Sequence, residues 1–285
     1  MAIELSHHRD YQQFSLSVIA YFDEDSYLAS VNVAHNLASL YFRAFDEKFI
    51  EEIRSYAINY FRKILSNLGW EPQKSDKHTD ALLRTFTISV LGKMNDDTVT
   101  DDAIRKYQKF LKSPSSLSPD LIETICSIAA WNGNSKTFAE LKKLYTNAKT
   151  MEEKLRFLGA MCGFQDTKLL IKTLNFSQTS EVRSQNMQLP IMKIAGNPYG
   201  EKVLWPWLKK NWKNINKKVG HGNPLFNRIV ASIAGVADDS MEKEIKVFFK
   251  NNPTPGTERT QSQTLERIRI NSKFLRTMRK EFKNG

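Results

Sequence analysis

Apolar residues recur every three or four positions along almost the whole 285-residue chain, which is the spacing that places them on one side of an α-helix. Runs in which apolar and polar residues alternate, as they do in a half-buried β-strand, are scarce. Short segments rich in Gly, Pro, Asn and Ser interrupt the helical pattern, among them "GWEPQKSD", "AGNPYG" and "NNPTPGT". The sequence therefore predicts an all-α protein of about a dozen helices joined by tight turns.

Capping residues mark several of the expected helix starts. Thr150 and Glu153 have the spacing of a capping box, and Asp239 and Glu242 have the same spacing. Pro190 lies inside an apolar helical pattern, so we expect it to kink or split that helix, because proline lacks a donor and its ring clashes with the preceding turn. The intervening breaks are too short for flexible linkers, so one helix should follow directly on another.

Consecutive helices with one apolar stripe each are most evident from residue 118 to residue 174. Such helices bury their stripes only by stacking on their neighbours, which is the principle of helical-pair solenoids of the HEAT or armadillo type. No sharp consensus repeats, so an irregular solenoid is expected. We interpret the whole chain, residues 1–285, as a single helical-repeat domain.

The net charge of +11 is concentrated in the last third of the chain. Residues 181–285 contain 20 Lys and Arg against 9 Asp and Glu, whereas residues 1–180 contain 22 of each kind. A positive field of this kind attracts a phosphate backbone, an acidic protein face or the carboxylate end of a peptide, and charge does not choose among them.

The basic helices of this third also carry regular apolar stripes, which favours a core role for their aromatic residues over base stacking. The expected buried positions are Leu204, Leu208, Trp212 and Ile215 in one helix and Leu265, Ile268, Leu275, Met278 and Phe282 in the last helix. The expected solvent-facing cations are Lys209, Lys210, Lys213, Lys217, Arg267, Arg269, Lys273, Arg276 and Lys280.

No pattern of catalytic residues is present in the sequence. The five histidines, His7, His8, His35, His78 and His221, include no pair one helical turn apart, which is the spacing that aims two imidazoles at one zinc ion. A Gly-rich phosphate loop, a Gly-x-Ser-x-Gly elbow and a paired-Cys motif are all missing, and the two cysteines stand among apolar residues. No apolar run reaches the roughly 18 residues that span a bilayer. We expect no metal ligand, no cofactor and no membrane contact in this chain.

The closing segment resembles the end of zinc aminopeptidases of the aminopeptidase N class, in which a P-x-x-G loop leads into a helix of the form L-E-x-I-x-x-N-x-x-(W/F)-L. The matching residues here are Pro253, Gly256, Leu265, Glu266, Ile268, Asn271, Phe274 and Leu275. Further landmarks such as "EVRSQNM", "NPYGEKVLWPW" and "GHGNPLFNRIVASIAG" occur in the same order. The resemblance extends over nearly the whole chain and is strongest to the C-terminal helical domain of tricorn-interacting factors and endoplasmic-reticulum aminopeptidases.

The resemblance implies a curved helical bowl that covers the zinc-bearing catalytic domain of a cytoplasmic parent enzyme, with that domain and a peptide substrate as partners, and neither nucleic acid nor a membrane. The catalytic signatures of the family belong to upstream domains, so the chain is expected to be a domain cut from an enzyme or one half of a split one. "LGAMCGF" at residues 158–164 contains Gly-Ala-Met but lacks the Glu-Asn that holds a substrate amino terminus in this family. No catalytic residue is assigned.

One residue is carried over from the resemblance. In relatives specific for acidic residues, an arginine in a segment like "LFNRIVASI" reaches towards the substrate pocket, and the matching residue here is Arg228. A guanidinium suits this role because its fork can pair with both oxygens of a carboxylate. A surface ion pair is the alternative role for Arg228. Two other functions stay open at this stage: a free-standing scaffold that binds nucleic acid or an acidic protein, and a hydrolase with an unrecognised site.

Overall fold

The computed structural model describes residues 27–220 and 223–282, and within these ranges the chain forms α-helices and short 3-10 turns with no β-strand. The α-helices are α1 (Tyr27–Arg43), α2 (Ile50–Leu68), α3 (His78–Lys93), α4 (Asp97–Lys112), α5 (Pro119–Trp131), α6 (Ser135–Asn147), α7 (Met151–Ala160), α8 (Thr167–Ser177), α9 (Gln188–Ala195), α10 (Glu201–Val219), α11 (Pro224–Ser232), α12 (Glu242–Asn251) and α13 (Glu258–Glu281). The all-α prediction is confirmed.

Two of the three local predictions are confirmed. The Thr150 hydroxyl accepts from the amide of Glu153, whose carboxylate accepts from the amide of Thr150, so the capping box of α7 is present. Pro190 stands in the first turn of α9, where its missing donor costs little, and a 3-10 turn replaces the helix before it.

The prediction that Asp239 and Glu242 form a capping box is wrong. Asp238 instead accepts from the amides of Ser240 and Met241, which produces a 3-10 turn before α12. Asp239 is one residue too far along the chain to cap this turn, and its carboxylate forms an ion pair with an arginine of α13.

The helices form two layers, which together make a solenoid. Each odd-numbered helix packs beside the next odd-numbered helix, from α1 through α13, and the even-numbered helices lie against them in a second layer. Side chains also join neighbours within the even-numbered layer, with Tyr145 of α6 against Phe176 of α8 and Trp212 of α10 against two phenylalanines of α12. We call the side of the odd-numbered helices that faces away from the even-numbered layer the inner face.

A continuous hydrophobic core runs between the layers and contains residues of every helix. The stripe predicted in α10 is buried, and Trp212 at its centre makes edge contacts with Phe226, Phe248 and Phe249 at 5.2, 5.2 and 5.7 Å between ring centres. In α13 the predicted stripe is buried or half-buried, and the cations predicted to face solvent in both helices are exposed. Helical periodicity therefore identified the buried sides of these two basic helices correctly.

The loop of residues 44–49, between α1 and α2, joins distant parts of the solenoid, and we call it the hub loop. Phe45 packs edge-on against Tyr199 at 5.4 Å and against Trp131 at 6.3 Å. Phe49 stacks on Phe282, just after α13, with the ring centres 4.1 Å apart. The chain therefore returns near its end to a point close to its beginning, and the row of odd-numbered helices closes on itself.

Ion pairs reinforce this closure. Arg279 of α13 donates to both carboxylate oxygens of Glu47, with Nε 2.9 Å from each and Nη2 2.6 Å from Oε1. Asp46 lies 3.9 Å from the ammonium group of Lys202 at the start of α10. A forked arginine–carboxylate pair fixes orientation as well as distance, so it holds the end of α13 in one position against the hub loop.

The contact between Phe49 and Phe282 gives a test of the closure. We expect Phe282→Ala to lower the free energy of unfolding by about 1 to 3 kcal/mol, because it removes a stacked aromatic pair. Amide hydrogen exchange over residues 272–282 should accelerate, because the end of α13 loses its contact with the hub loop. Lys280→Ala changes an exposed neighbour and serves as the control. Equal exchange in the two variants would contradict the closure.

Candidate functional site

The inner face carries basic side chains from several helices that are distant in sequence. Arg43 ends α1, Lys93 ends α3, Lys193 lies near the end of α9, and Arg228 lies in α11. Lys93 is half-buried and the other three are exposed. Side chains of the odd-numbered helices that do not pack between helices point to the concave side of the solenoid, so these four residues line the inner face.

Arg267 of α13 also faces inwards. Arg269, two positions later, donates to both carboxylate oxygens of Glu242 in the outer helix α12, at 2.8 and 2.7 Å. Two residues on an α-helix are separated by about 200° around the axis, so Arg267 lies on the side of α13 opposite to α12.

Most of these inner cations lack a partner of opposite charge. Lys193 forms an ion pair with Glu123 of α5. Arg43, Lys93, Arg228 and Arg267 form no hydrogen bond or ion pair with any described residue, although the Lys93 ammonium lies 6.0 Å from the centre of the Phe42 ring. Unpaired cations on the inner face contribute a positive potential there.

The pKa values of two of these groups reflect this crowding. The pKa of Lys93 falls from 10.5 to about 8, first because neighbouring protein atoms displace water and then because Lys193 lies nearby. The pKa of the Arg43 guanidinium is lowered for the same kinds of reason, desolvation first and repulsion from Arg267 second. Both residues keep some contact with solvent, so they have the surroundings expected on the wall of a concavity.

Gly159 makes room for the ion pair on the inner face. A Cβ atom at this position would lie 2.5 Å from Oε1 of Glu123 and 3.1 Å from Cε of Lys193. Gly159 belongs to the "LGAMCGF" segment, whose residues end α7 and form the buried 3-10 turn that follows. The sequence-based view that this segment is helical is confirmed, and its Gly-Ala-Met serves packing in this position.

The histidines of the described residues lie apart from one another. Within residues 27–220 and 223–282, no three His, Cys, Asp or Glu side chains are placed to hold a metal ion. His35 packs on Phe86 with the ring centres 4.2 Å apart, and His78 is exposed at the start of α3. His7, His8 and His221 lie outside the described residues.

The two thiols are buried and protonated. Both Cys126 and Cys162 belong to the hydrophobic core. Burial raises the pKa of both thiols, that of Cys162 to about 12, so neither is present as the reactive thiolate near neutral pH. In the part of the chain that the structure describes, no helix has the length and apolar character needed to cross a membrane.

Comparison with known proteins identifies the family of this fold. Residues 6–270 match the family described as the ERAP1-like C-terminal domain. The chain belongs to this family. The resemblance stated from the closing motif is thereby confirmed.

Relatives of the chain are aminopeptidases. It is similar to "Aminopeptidase M1" of Arabidopsis thaliana, with 27% identity over 241 residues that cover 83% of this chain and 27% of that protein. It is also similar to "Aminopeptidase M1-D" of Oryza sativa, with 28% identity over 264 residues, 91% of this chain and 30% of the relative. For "Alanine/arginine aminopeptidase" of Saccharomyces cerevisiae the identity is 21% over 257 residues, 89% of this chain and 30% of the relative. The chain spans less than a third of the length of these proteins.

The motif that carried the resemblance has a structural role in this ERAP1-like domain. Gly256 adopts φ of +86°, a left-handed conformation that favours glycine, and so turns the chain into α13. Thr254 and Thr257 on either side are buried and share a hydrogen bond of 2.7 Å. Farther along α13, Asn271 donates to the carbonyl oxygen of Ala234 after α11, at 3.2 Å. These residues position the last helix against its neighbour.

Arg228 is the one site residue that the sequence singled out. The structure places it on α11 with its side chain exposed on the inner face and with no acidic partner among the described residues. The role of Arg228 facing substrate and its alternative role in a surface ion pair both stay predictions. Sequence reasoning did not single out Lys93, Arg43 or Lys193, because a basic residue near a helix C-terminus is an ordinary feature.

Replacing Lys93 tests the electrostatic crowding. The pKa of Lys93 is about 8 in the folded protein and lies below the ordinary value of 10.5. The folded state therefore holds the Lys93 proton less tightly than the unfolded state does, and the charged lysine lowers the free energy of unfolding at and below pH 8. We expect Lys93→Met to raise the free energy of unfolding at pH 7 by about 1 to 2 kcal/mol. This gain is smaller than the free energy that corresponds to the whole pKa shift, because the side chain keeps some contact with water.

The difference in the free energy of unfolding between Lys93→Met and the natural chain should decrease as the pH rises from 8 towards 10.5, because Lys93 then loses its proton in the folded state. Denaturant unfolding at pH 7 and pH 9.5 measures both quantities. Lys213→Met, at an exposed position of α10, is the matched control, with an expected change within about 0.5 kcal/mol. If Lys93→Met is less stable than the natural chain at pH 7, the charged Lys93 side chain does not destabilise the folded state.

Proposed function

We propose that the chain is the non-catalytic C-terminal part of a zinc-dependent aminopeptidase that removes N-terminal residues from peptides. The observation that carries the proposal is the match of residues 6–270 to a family of C-terminal domains, whose members among the relatives are much longer aminopeptidases. In this proposal the zinc ion and the reacting groups belong to the catalytic part of the enzyme. The cytoplasm is the proposed compartment.

The proposed work of this domain is confinement. Its concave inner face covers the chamber in which the peptide is cut, and the size of the enclosed space limits the length of the peptides that fit. Covering the chamber excludes bulk water, which strengthens the electrostatic contacts within it. Movement of the domain relative to the catalytic part opens and closes the chamber, so it controls entry of substrate and release of product.

Steering is the second part of the proposal. The unpaired cations on the inner face attract the carboxylate end of a peptide while its amino terminus is held at the catalytic centre. Arg228 is the proposed substrate-facing residue, because its guanidinium is exposed and unpaired among the described residues. Its planar fork can pair with both oxygens of a carboxylate.

The scaffold alternative, which relies on the basic last third, is less well supported. Many cations of this third are neutralised within the domain by carboxylates, namely those of Lys193, Lys202, Lys209, Lys246, Arg269, Arg276 and Arg279. Lys218 donates to three backbone carbonyl oxygens near the end of α8. A binding surface for a phosphate backbone needs free cations along one track, and internal pairing reduces their number.

Adding the domain to a separately produced catalytic part tests the proposal. We expect the two parts to associate and the mixture to cleave short peptides in preference to long ones, because the domain closes the chamber. Turnover of a peptide series of increasing length measures the effect, with the catalytic part alone as the control. If the two parts do not associate and the length preference does not change, the proposal fails.

Arg228 is tested in the assembled enzyme. We expect Arg228→Ala to lower kcat/KM for substrates with an acidic N-terminal residue by about tenfold or more, because a charge-assisted pair is lost. Neutral substrates should change by less than about twofold. Lys210→Ala, at an exposed position on the outer helix α10, is the control. Equal losses for acidic and neutral substrates would remove the selective role.

A further inference from the structure

A cavity opens between the outer helices α6 and α8, and we call it the outer groove. It is lined by Phe138, Lys142, Lys172, Asn175, Phe176 and Thr179. Both helices belong to the even-numbered layer, so the outer groove lies on the side of the domain away from the inner face. It also lies outside the basic last third of the chain, which starts at residue 181. The proposed capping function makes no use of this groove.

Two buried aromatic rings line the outer groove, and a lysine side chain lies over each of them. The ammonium group of Lys172 is 4.6 Å from the centre of the Phe138 ring, and that of Lys142 is 4.8 Å from the centre of the Phe176 ring. A ring face attracts a cation, which holds both ammonium groups at the groove. Because lysine has a flexible stem, an apolar group can take the place of either ammonium over its ring while the charge stays nearby.

The polar groups at the outer groove are only partly compensated. Lys172 forms no ion pair with a described residue. Lys142 lies 3.5 Å from a carboxylate oxygen of Glu181, but both side chains are more than 40% exposed, so water screens this pair. The Oδ1 atom of Asn175 accepts from the indole of Trp207 at 2.8 Å, whereas its Nδ2 group forms no hydrogen bond with a described residue. The groove therefore offers two cations and an amide donor to a negatively charged group.

The volume of the outer groove limits what it can hold. It is about 240 Å³, whereas sites for whole small-molecule ligands usually measure about 300 to 1,000 Å³. A cavity of about 150 Å³ can hold a benzene molecule, so the groove has room for one aromatic ring. One large side chain in a pocket, surrounded by polar contacts, is the usual anchor of a contact between two proteins.

We propose that the outer groove is a docking site for an acidic segment of another protein that inserts one aromatic side chain. The inserted ring packs against Phe138 and Phe176 in place of the lysine ammonium groups. Carboxylates on either side of this ring pair with Lys142 and Lys172, and Asn175 donates a hydrogen bond to the segment. The charge of the groove selects an acidic partner, and its volume selects a single ring as the anchor.

Isothermal titration calorimetry of the 285-residue chain with the acetylated and amidated peptide Asp-Glu-Phe-Glu-Asp tests the proposal. The expected result is saturable binding. Replacing the phenylalanine of the peptide by alanine should weaken binding by about tenfold, because burial of the ring is lost. Replacing its four acidic residues by asparagine and glutamine should weaken binding by about tenfold as well, because the pairs with lysine are lost.

Two variants of the chain, each with a matched control, locate the bound peptide. Thr179→Trp fills the groove and should weaken binding by about tenfold or more, whereas Thr146→Trp, at an exposed position of α6 outside the lining, should leave it unchanged. Lys172→Glu should weaken binding by about tenfold through repulsion, whereas Lys213→Glu, exposed on α10, should change it by less than about twofold. All four positions are exposed, so we expect the Tm of each variant to stay close to that of the natural chain.

The proposal is overturned if the peptide does not bind, or if Thr179→Trp binds it as tightly as Thr146→Trp does. Binding of oligothymidylate in place of the peptide, weakened by Lys172→Glu, would identify a nucleic-acid surface and overturn it too. So would a dimer of the chain that sedimentation detects and that Thr179→Trp abolishes, because a second copy would then fill the groove. None of these results affects the proposed capping function, which relies on the inner face.

Discussion

The contact between the end of α13 and the hub loop is the constraint on which the rest of the architecture depends. A stack of helix pairs has two free ends and no fixed curvature, because each pair contacts only its neighbours. Here the stacked rings of Phe49 and Phe282 and the forked pair of Arg279 with Glu47 tie the two ends together. The two ends are thereby held together, so the odd-numbered helices form a closed row instead of an open strip.

Ion pairing differs among the cations of the domain. Arg43 of α1, Lys93 of α3 and Arg267 of α13 form no ion pair with a described residue. The outer helices show the opposite arrangement, in which Lys209 pairs with Glu244 and Arg269 with Glu242. Pairing is incomplete on both sides, since Lys193 on the inner face pairs with Glu123, whereas Lys210 and Lys213 of the outer helix α10 have no carboxylate partner among the described residues.

Local features of this fold were predictable from sequence, and long-range ones were not. The stripe of α10, the Thr150 capping box and the break at Pro190 follow from helical periodicity and backbone chemistry. The cap assigned to Asp239 was off by one residue, because tertiary pairing with Arg276 decides that turn. The excess charge of the last third can be read from the sequence, but which of its cations are paired, such as Arg269 with Glu242 and Arg279 with Glu47, only the tertiary fold shows.

The Arg279–Glu47 pair spans 232 positions of sequence, whereas most packing in this domain joins helices that follow one another or nearly so. Contacts between near neighbours form quickly, since little chain entropy is lost in bringing them together. The stack can therefore grow pair by pair from any point along it, and the ends meet only after the intervening helices have set the bend. Joining the ends is then a late kinetic event, and the closed row of helices is completed only in the final step of folding.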